Sequence, residues 1–263
     1  MPEPYDTINA INTGPEHWWR FSVASGSVTD EGQATARNLN ALAGGSGSFN
    51  GTYRFDANPF GDGFGIRFNG QGGFQATSTG LSTARGTMFV VFRSVGNPGT
   101  AQFQFGFRAG NDIDYCHLSA HTDGSILYVI QDGSSDDEFF NGSSGNNDSA
   151  VHSMAVIPSA STTVEPDLFV DGSSISLAAH VEDNVPDNYW WDSFTEIINV
   201  GMRGAILDFE ATNLVAYEML LFDTVLSAQQ ISDVHDILTT AFVAPLVKHQ
   251  RRRGRRVFNA AAL

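Results

Sequence analysis

The sequence predicts an all-β fold, an antiparallel β-sandwich of the jelly-roll type with one short helix near its carboxyl end. Seven Asn-Gly or Asp-Gly pairs are spread over residues 50–172. Both kinds of pair favour the positive φ angles that tight hairpin turns require. Short runs that are apolar, or that alternate between apolar and polar residues, lie between these pairs. Evenly spaced strands with turns between them are typical of a sandwich or a barrel.

Six runs carry the clearest strand patterns. In Phe103–Phe107 every second residue is Phe, so the three rings share one face of a strand. The stretches 131–150 and 158–166 are rich in Ser, Asn, Asp and Gly, and we expect them to be exposed loops. The other predicted strands are Thr87–Phe92, Ile126–Ile130, Ser153–Ile157, Asp167–Val170 and Val215–Phe222.

One helix is predicted near residue 230. Ser227 and Gln230 have the spacing of a capping box, in which each side chain accepts a hydrogen bond from the backbone N–H of the other. Leu226 and Ile231 flank this box as a hydrophobic staple. The residues that follow place an apolar stripe on one helical face, which we expect to pack on the sandwich. That stripe comprises Ile231, Val234, Leu238 and Phe242.

Charge divides the chain unevenly. The 263 residues include 14 Lys and Arg against 29 Asp and Glu, a net charge of −15. Residues 244–263 contain six of the basic residues and no acid, so the remainder has a net charge of −21. Phosphate contacts need clustered cations, which argues against nucleic-acid binding by the body. We therefore predict an N-terminal arm (1–14), one jelly-roll domain (15–243) and a basic C-terminal extension (244–263).

No stretch has the pattern of a signal peptide or of a membrane helix, which needs about 20 apolar residues. On this basis we expect a soluble protein that is synthesised in a host cytoplasm and has no membrane partner.

A series of short motifs resembles the laminin-G-like jelly rolls of the concanavalin A-like lectin/glucanase superfamily, of the kind found in phage virion proteins. The motifs occur in the same order as in that superfamily, over about residues 5–240. The resemblance implies the same sandwich fold, but the superfamily contains lectins, glycosidases and structural virion proteins. The matching stretches are Gly14–Phe21, Ser25–Asp30, Gly51–Tyr53, Ile66–Gly70, Thr87–Phe92, Val151–Val156, Leu168–Gly172, Gly201 and Glu218–Ile231.

The residues that could carry catalysis form no recognisable set. A glycosidase needs two carboxylates that flank the scissile bond. The acids of Asp136–Glu138 and Glu182–Asp183 are adjacent in sequence, which is typical of solvated loop charge. Cys116 is the only cysteine, and a lone cysteine is more often a core residue than a nucleophile. We predict that the protein is not an enzyme and has no organic cofactor.

The sequence predicts no zinc site and leaves only calcium as an open alternative. His117 and His121 are four residues apart and share a face if the strand continues, but no third ligand accompanies them. The resemblance implies a structural role for His152. Calcium is an alternative, because hard oxygen ligands are plentiful, although they do not have the spacing of an EF-hand loop. These ligands are Asp112, Asp114, Asp136, Asp137, Asn146, Asn147 and Asp148.

Two aromatic groups could stack on sugar rings. Trp18-Trp19 matches a core position of the resemblance, so we expect at least one of these rings to be buried. Tyr189-Trp190-Trp191 follows a turn-like stretch and is the better candidate for an exposed glycan-binding patch. Adjacent aromatics on a strand normally place one ring inward, so we favour a structural role for these three residues and keep glycan binding as the alternative.

The basic extension has three interpretations. It could contact packaged nucleic acid, dock on an acidic neighbouring subunit, or remain a disordered end. Its apolar residues favour docking on protein, either on other virion proteins or on a second copy in a homo-oligomer. The predicted docking residues are Arg251, Arg252, Arg253, Arg255, Arg256 and Phe258.

These observations predict a non-enzymatic structural or decoration subunit of a virion. The first alternative is a carbohydrate-binding, lectin-like module that recognises surface glycans, and the second is a divergent glycosidase.

Overall fold

The computed structural model describes part of the chain in detail. Two helices, α1 (Pro4–Asn9) and α2 (Ala228–Thr240), stand at the two ends of the described chain. The described residues are 4–12, 14–20, 27–28, 31–32, 39–43, 54–57, 64–69, 72–77, 86–94, 103–108, 115–121, 124–133, 135–141, 145–146, 148–159, 165–182, 197–200 and 212–240.

The strands confirm the all-β prediction. All described pairs of neighbouring strands are antiparallel. In chain order they are β1 (His17–Arg20), β2 (Ser27–Val28), β3 (Leu39–Ala43), β4 (Arg54–Ala57), β5 (Phe64–Asn69), β6 (Gly72–Thr77), β7 (Thr87–Ser94), β8 (Phe103–Arg108), β9 (Tyr115–Ala120), β10 (Ile126–Asp132), β11 (Ser135–Asn141), β12 (Val151–Ile157), β13 (Asp167–Val170), β14 (Ser173–Ile175), β15 (Ala179–Glu182), β16 (Ile197–Val200) and β17 (Thr212–Phe222).

Within the described residues these strands form two sheets. The eight-stranded sheet has the order β14-β13-β12-β7-β17-β5-β4, and β1 pairs with β17 beyond the end of β5. The nine-stranded sheet has the order β15-β11-β10-β9-β8-β16-β6-β3-β2. Neighbours in both sheets are often far apart in sequence, as the crossing connections of a jelly roll require.

The main core lies between the two sheets. Alternate residues of β7, beginning with Met88, meet alternate residues of β9 and β10 from the facing sheet. Phe105 and Phe107 of the alternating Phe run lie in this core, as the sequence predicted. Cys116 is also there, fully buried, and its Sγ lies 3.2 Å from the Tyr128 hydroxyl. The prediction that this cysteine is a core residue is confirmed.

A second apolar layer covers the outer face of the eight-stranded sheet. Phe89, Val91 and Leu220 point away from the main core and pack under both helices. Ile8 of α1 is fully buried in this layer, so the segment predicted as an N-terminal arm contributes to the packing of the domain. Trp18 belongs to this layer and its neighbour Trp19 to the main core, because adjacent residues of a strand face opposite sides.

Helix α2 begins as the sequence predicted. The backbone N–H of Ser227 donates to Gln230 Oε1 at 2.8 Å, and the N–H of Gln230 donates to Ser227 Oγ at 3.3 Å. These two bonds form the capping box. The predicted stripe of Ile231, Val234 and Leu238 is buried against the sheet, whereas Phe242 lies outside the described residues.

The prediction of an exposed loop over residues 131–150 was wrong for part of that stretch. Residues Ser135–Asn141 form strand β11, which pairs with β10 through a hairpin that turns at Gly133. Phe139 is buried in the main core. The polar composition predicted a loop, but the Asp-Gly turn and the pairing edge of β10 determined the structure instead.

Candidate functional site

The outer face of the nine-stranded sheet carries polar and aromatic side chains. Strand β9 points Cys116, Leu118 and Ala120 into the main core. Alternation therefore places Tyr115, His117 and Ser119 on the outer face. The same rule places the Leu127, Val129 and Gln131 side chains of β10 beside them, and Tyr115, Leu127 and Val129 form a small apolar cluster. We call the set Tyr115, His117, Ser119, Leu127, Val129 and Gln131 the outer-face cluster.

The side chains of this cluster are ordered by contacts with one another and with the backbone. The rings of Tyr115 and His117 stack at 5.3 Å between centroids, with an angle of 18°. The Ser119 hydroxyl donates to the Leu127 carbonyl at 3.4 Å, and the Gln131 amide donates to the Gly133 carbonyl at 2.9 Å. Tyr115 is 5% exposed and His117 is 6% exposed, so the cluster is a largely enclosed layer.

A glycine lies next to His117 in the sheet. Gly106 pairs directly with His117, and a Cβ on Gly106 would lie 1.9 Å from the carbonyl oxygen of Cys116. No other residue fits there without moving the backbone, and a glycine inside a strand often marks a close approach of backbone or ligand. Gly106 also pairs with Asn199 of β16, and Asn199 pairs with Gln75 of β6. Two polar residues therefore continue this row of paired positions across the sheet.

A second polar cluster lies at the rim of the sandwich, where the chain crosses from β11 to β12. His152 Nδ1 lies 2.8 Å from Asp171 Oδ2, and His152 Nε2 lies 2.9 Å from Asp148 Oδ1. The backbone N–H of Ser153 donates to the other oxygen of Asp171 at 2.9 Å. The predicted structural role of His152 agrees with these contacts, all of which are internal to the protein.

The turn that holds Asp171 is anchored on helix α2. Asp171 and Gly172 have φ angles of 48° and 73°, the left-handed conformation of a tight hairpin turn. A Cβ on Gly172 would lie 3.0 Å from Ser232 Cα, so the turn packs closely on the helix. Ser153 Oγ lies 2.9 Å from His235 Nδ1, which extends the polar contacts of the rim to the helix.

A third polar group is buried under the helices. The indole N–H of Trp18 donates to Glu218 Oε2 at 2.8 Å, and Arg20 Nε lies 3.3 Å from Glu218 Oε1. Arg20 also lies 3.7 Å from Glu31. Burial raises the pKa of Glu218 to about 7, although Arg20 and the Trp18 hydrogen bond act to lower it.

The predicted calcium ligands are not gathered in the described part of the chain. Among the residues with described side chains, no three His, Cys, Asp or Glu groups are placed to hold one metal ion. Asn146 donates to the Gly124 carbonyl, and Asp148 is engaged by His152. Asp136 and Asp137 are successive residues of β11, paired with Gln131 and Ile130 of β10. Asp112, Asp114 and Asn147 lie outside the described residues.

The predicted glycan-binding and docking residues are not among those described. Tyr189, Trp190 and Trp191 lie between Glu182, which ends the edge strand β15, and Ile197, which begins β16. Four strands separate β15 from β16 in the sheet. The docking residues also lie outside the described part: Arg251, Arg252, Arg253, Arg255, Arg256 and Phe258.

Sequence reasoning missed the outer-face cluster and the contacts of His152. The predicted shared face of His117 and His121 does not form, because β9 ends at Ala120. The alternation of Tyr115, His117 and Ser119 with apolar residues was a usable signal for the first cluster. For the second, His152 and Asp171 both fall in motifs of the resemblance, but their pairing is not visible along the chain.

Comparisons with known proteins give structural matches alone. No protein-family model and no curated protein sequence matches the chain. Domain 4 of AbnA, a GH43 extracellular arabinanase from Geobacillus stearothermophilus, was solved with arabinotriose and superposes with a TM-score of 0.58 at 13% identity. The match covers 84% of this chain and 98% of that domain.

Two further structures are similar over parts of larger chains. The botulinum neurotoxin serotype C1 binding domain has a TM-score of 0.59 at 9% identity, over 87% of this chain and 53% of that one. Trypanosoma rangeli sialidase in complex with sialic acid has a TM-score of 0.54 at 12% identity, over 85% of this chain and 33% of that one.

The described helices include none that is long and apolar enough to cross a membrane.

At these low identities the likenesses to the three solved structures concern the fold. Together with the two antiparallel sheets, they identify the fold of the chain as an antiparallel β-sandwich of the jelly-roll type.

Proposed function

We propose that the protein is a non-enzymatic glycan-binding module whose site lies on the outer side of the nine-stranded sheet. The observation that carries this proposal is the outer-face cluster, in which aromatic rings, hydroxyls and an amide form a largely enclosed floor on one face of neighbouring strands. Sugar rings are bound by such combinations, because aromatic faces cover the C–H groups while fixed polar groups bond the hydroxyls.

The likeness to known structures supports the same proposal. The AbnA domain, which was solved with arabinotriose, is matched over almost its whole length. A botulinum neurotoxin DC binding domain, solved in complex with SialylT, also shares the fold, with a TM-score of 0.56. Fold likeness alone does not transfer a ligand, so the proposal depends on the side chains of the site.

We propose that Tyr189, Trp190 and Trp191 contribute to this site. They belong to the connection between β15 and β16, and the outer-face cluster lies on two of the four strands between these two. An aromatic segment attached at both ends of that interval is well placed to supply a stacking surface beside the cluster.

The charge of the chain favours an uncharged glycan. With a net charge of −15, and −21 without the basic extension, the domain repels an anionic sugar at long range. We therefore expect neutral oligosaccharides, with arabinotriose as the first probe, to bind more tightly than sialylated ones.

A glycan array probed with the full chain, followed by calorimetry, tests the proposal. We expect Trp190→Ala with Trp191→Ala to weaken binding about tenfold or more, since a lost stacking or hydrogen-bonding contact costs roughly 1–3 kcal/mol. His117→Phe changes the enclosed layer beneath the proposed site and should weaken binding less. In His117→Phe the phenyl ring can keep the stack on Tyr115, and the melting temperature shows whether the variant folds. His121→Phe, just beyond the end of β9, is the matched control and should bind normally.

Two results would contradict the proposal. The first is the absence of binding to every glycan class on the array. The second is binding that neither aromatic change nor His117→Phe weakens. Turnover of a polysaccharide, abolished by one carboxylate change, would favour the glycosidase alternative instead.

A virion decoration role is the second candidate, and the concentration of six of the 14 basic residues in 244–263 favours it. In that role the extension docks on an acidic neighbouring subunit. Truncation after Pro245 should then abolish incorporation into particles while the melting temperature of the domain stays unchanged. Normal incorporation of the truncated protein would reject the docking role.

A further inference from the structure

Both ring nitrogens of His152 face carboxylate oxygens at hydrogen-bonding distance. Asp171 Oδ2 lies 2.8 Å from Nδ1, and Asp148 Oδ1 lies 2.9 Å from Nε2. Each carboxylate also accepts a backbone N–H, from Ser153 at Asp171 and from Ala150 at Asp148. Hydrogen bonds to the charged form favour ionisation, so both acids are carboxylates that can only accept.

This geometry requires the charged form of the histidine. A neutral imidazole has one N–H, so it can donate to Asp171 or to Asp148 but not to both. Only the imidazolium, with a proton on each nitrogen, makes both bonds. The hydrogen bond to Asp171 raises the pKa of His152 above its ordinary 6.5; burial opposes this rise, and Asp148 adds to it.

We propose that His152 is a pH-sensitive latch, which fastens the crossing loop at Asp148 to the β13–β14 turn at Asp171 and releases the loop when the ring loses a proton. The inference does not depend on glycan binding. It concerns the junction between the two sheets, since this loop connects β11 of one sheet to β12 of the other.

The two sides of the latch differ in how firmly they are held. The Asp171 side chain is 40% exposed, is bonded by the Ser153 N–H, and sits in a turn packed on α2. The Asp148 side chain is 56% exposed and belongs to a loop whose residues 148–150 are all exposed. When one proton leaves, the ring therefore keeps Nδ1–H on Asp171, and the contact to Asp148 is lost.

The other groups around His152 do not replace this contact. On the β7 side the ring meets Phe92, which is uncharged, at 6.1 Å between centroids. From α2, His235 contacts the Ser153 hydroxyl, and its electrostatic interaction with Asp171 acts to lower the pKa of that carboxyl. Among the residues that the structure describes, the ionisable groups that bear on the latch are Asp148, Asp171 and, indirectly, His235.

Release of Asp148 affects the rim of the sandwich. Asn146, two residues before Asp148, is buried. Its backbone carbonyl accepts a hydrogen bond from the Ser94 hydroxyl at 2.8 Å. Its side-chain amide donates to the Gly124 carbonyl at 3.0 Å. Ser94 ends β7 of the eight-stranded sheet, and Gly124 lies in the β9–β10 turn of the nine-stranded sheet, so the loop bonds to both sheets.

The contribution of the latch to stability follows from the direction of the shift. A histidine whose pKa is raised by folding binds its proton more tightly in the folded state. The stabilisation is complete below the unfolded pKa of about 6.5 and disappears as pH rises through the higher folded value.

Nitrogen-15 NMR of the His152 ring in the full chain tests the proposal directly. Below the folded pKa we expect both ring nitrogens to show the chemical shift of protonated nitrogen, and above it only Nδ1 to keep that shift. Asp148→Ala should lower the titration midpoint, and Asp171→Asn should lower it further. Asp233→Ala removes an exposed carboxylate of α2 and should leave the midpoint unchanged.

Loop release is measured on the same samples from the backbone amides of residues 148–150. We expect their relaxation to indicate greater mobility above the midpoint in the wild type, and at every pH in Asp148→Ala. Three results would overturn the proposal: a midpoint at or below 6.5, a single neutral tautomer at pH 6, or loop amides that do not respond to the titration. Asp148 is exposed, so its variant is expected to fold whatever the outcome.

Discussion

The outer faces of the two sheets have opposite characters. On the eight-stranded sheet the outer side chains are large and apolar, such as Phe89 and Leu220, and helices α1 and α2 pack against them as a second core. On the nine-stranded sheet the described outer face alternates aromatic, polar and aliphatic residues, with His117 and Ser119 beside Val129. Both faces are largely buried where they are described, but apolar helices cover the first, whereas the second carries side chains that make directional hydrogen bonds.

The difference teaches that one sandwich can divide its tasks between its sheets. Helices that cover an apolar face stabilise the fold by burial, and the polar group on this face, Glu218, is paired with Trp18 and Arg20. On the other face, the Ser119 and Gln131 side chains donate to backbone carbonyls, so their hydrogen bonds are satisfied within the sheet. The predictions below test how far this division extends, from the largest expected effect to the smallest.

Leucines on the two faces should differ in their contribution to stability. Leu220 is fully buried under the helices, and Leu220→Ala should lower the free energy of unfolding by about 3–5 kcal/mol through lost burial and a cavity. Leu127→Ala, in the outer-face cluster, should lower the free energy of unfolding by about 2 kcal/mol. Urea denaturation followed by fluorescence measures both values. Equal losses would mean that the two faces are packed alike.

The buried Glu218 should make the helix-covered face sensitive to pH. Its pKa is raised by burial to about 7, so the folded state binds a proton more tightly than the unfolded state does. Stability should therefore fall as pH rises from about 4.5 to about 7, by on the order of 2 kcal/mol. Glu218→Gln should remove this part of the pH dependence.

Thermal unfolding of wild type and Glu218→Gln between pH 4 and pH 8 measures the effect. Asp223→Asn, which changes an exposed acid at the end of β17, is the control and should keep the wild-type profile. Identical profiles for wild type and Glu218→Gln would show that Arg20 keeps Glu218 ionised throughout.

Loss of the α2 cap should have the smallest effect. Ser227→Ala removes the acceptor of the Gln230 N–H and should cost about 1 kcal/mol. If α2 mainly serves to cover the apolar face, the outer-face cluster should not respond. The NMR signals of Tyr115 and His117 should stay in place while the unfolding midpoint decreases, and a shift of those signals would show that the two faces are coupled.

Local patterns along the chain were enough to predict several elements. The six predicted strands and the capping box at Ser227 depend on neighbours within a few residues, and the structure contains all of them. Strand β11 was missed, because its run of acids and small polar residues hides the alternation that buries Phe139. Its pairing depends on the exposed edge of β10, which a local pattern does not reveal.

The polar clusters depend on contacts between distant parts of the chain. Trp18 and Glu218 are 200 residues apart, and they meet because β1 pairs with β17 next to the point where the pairing of β17 with β7 shifts register, between Ala216 and Glu218. Such bulges change which face a side chain reaches. The resemblance marked both segments, but it assigned no contact between them.

The sequence by itself determined the class of fold, the turns and the start of α2, because turn conformation, strand alternation and helix capping are local properties of the chain. Only the tertiary structure decided that His152 lies between two carboxylates and that one sheet is covered by helices while the other keeps polar groups outside. Those arrangements follow from strand order and register, which bring together residues that no local rule connects.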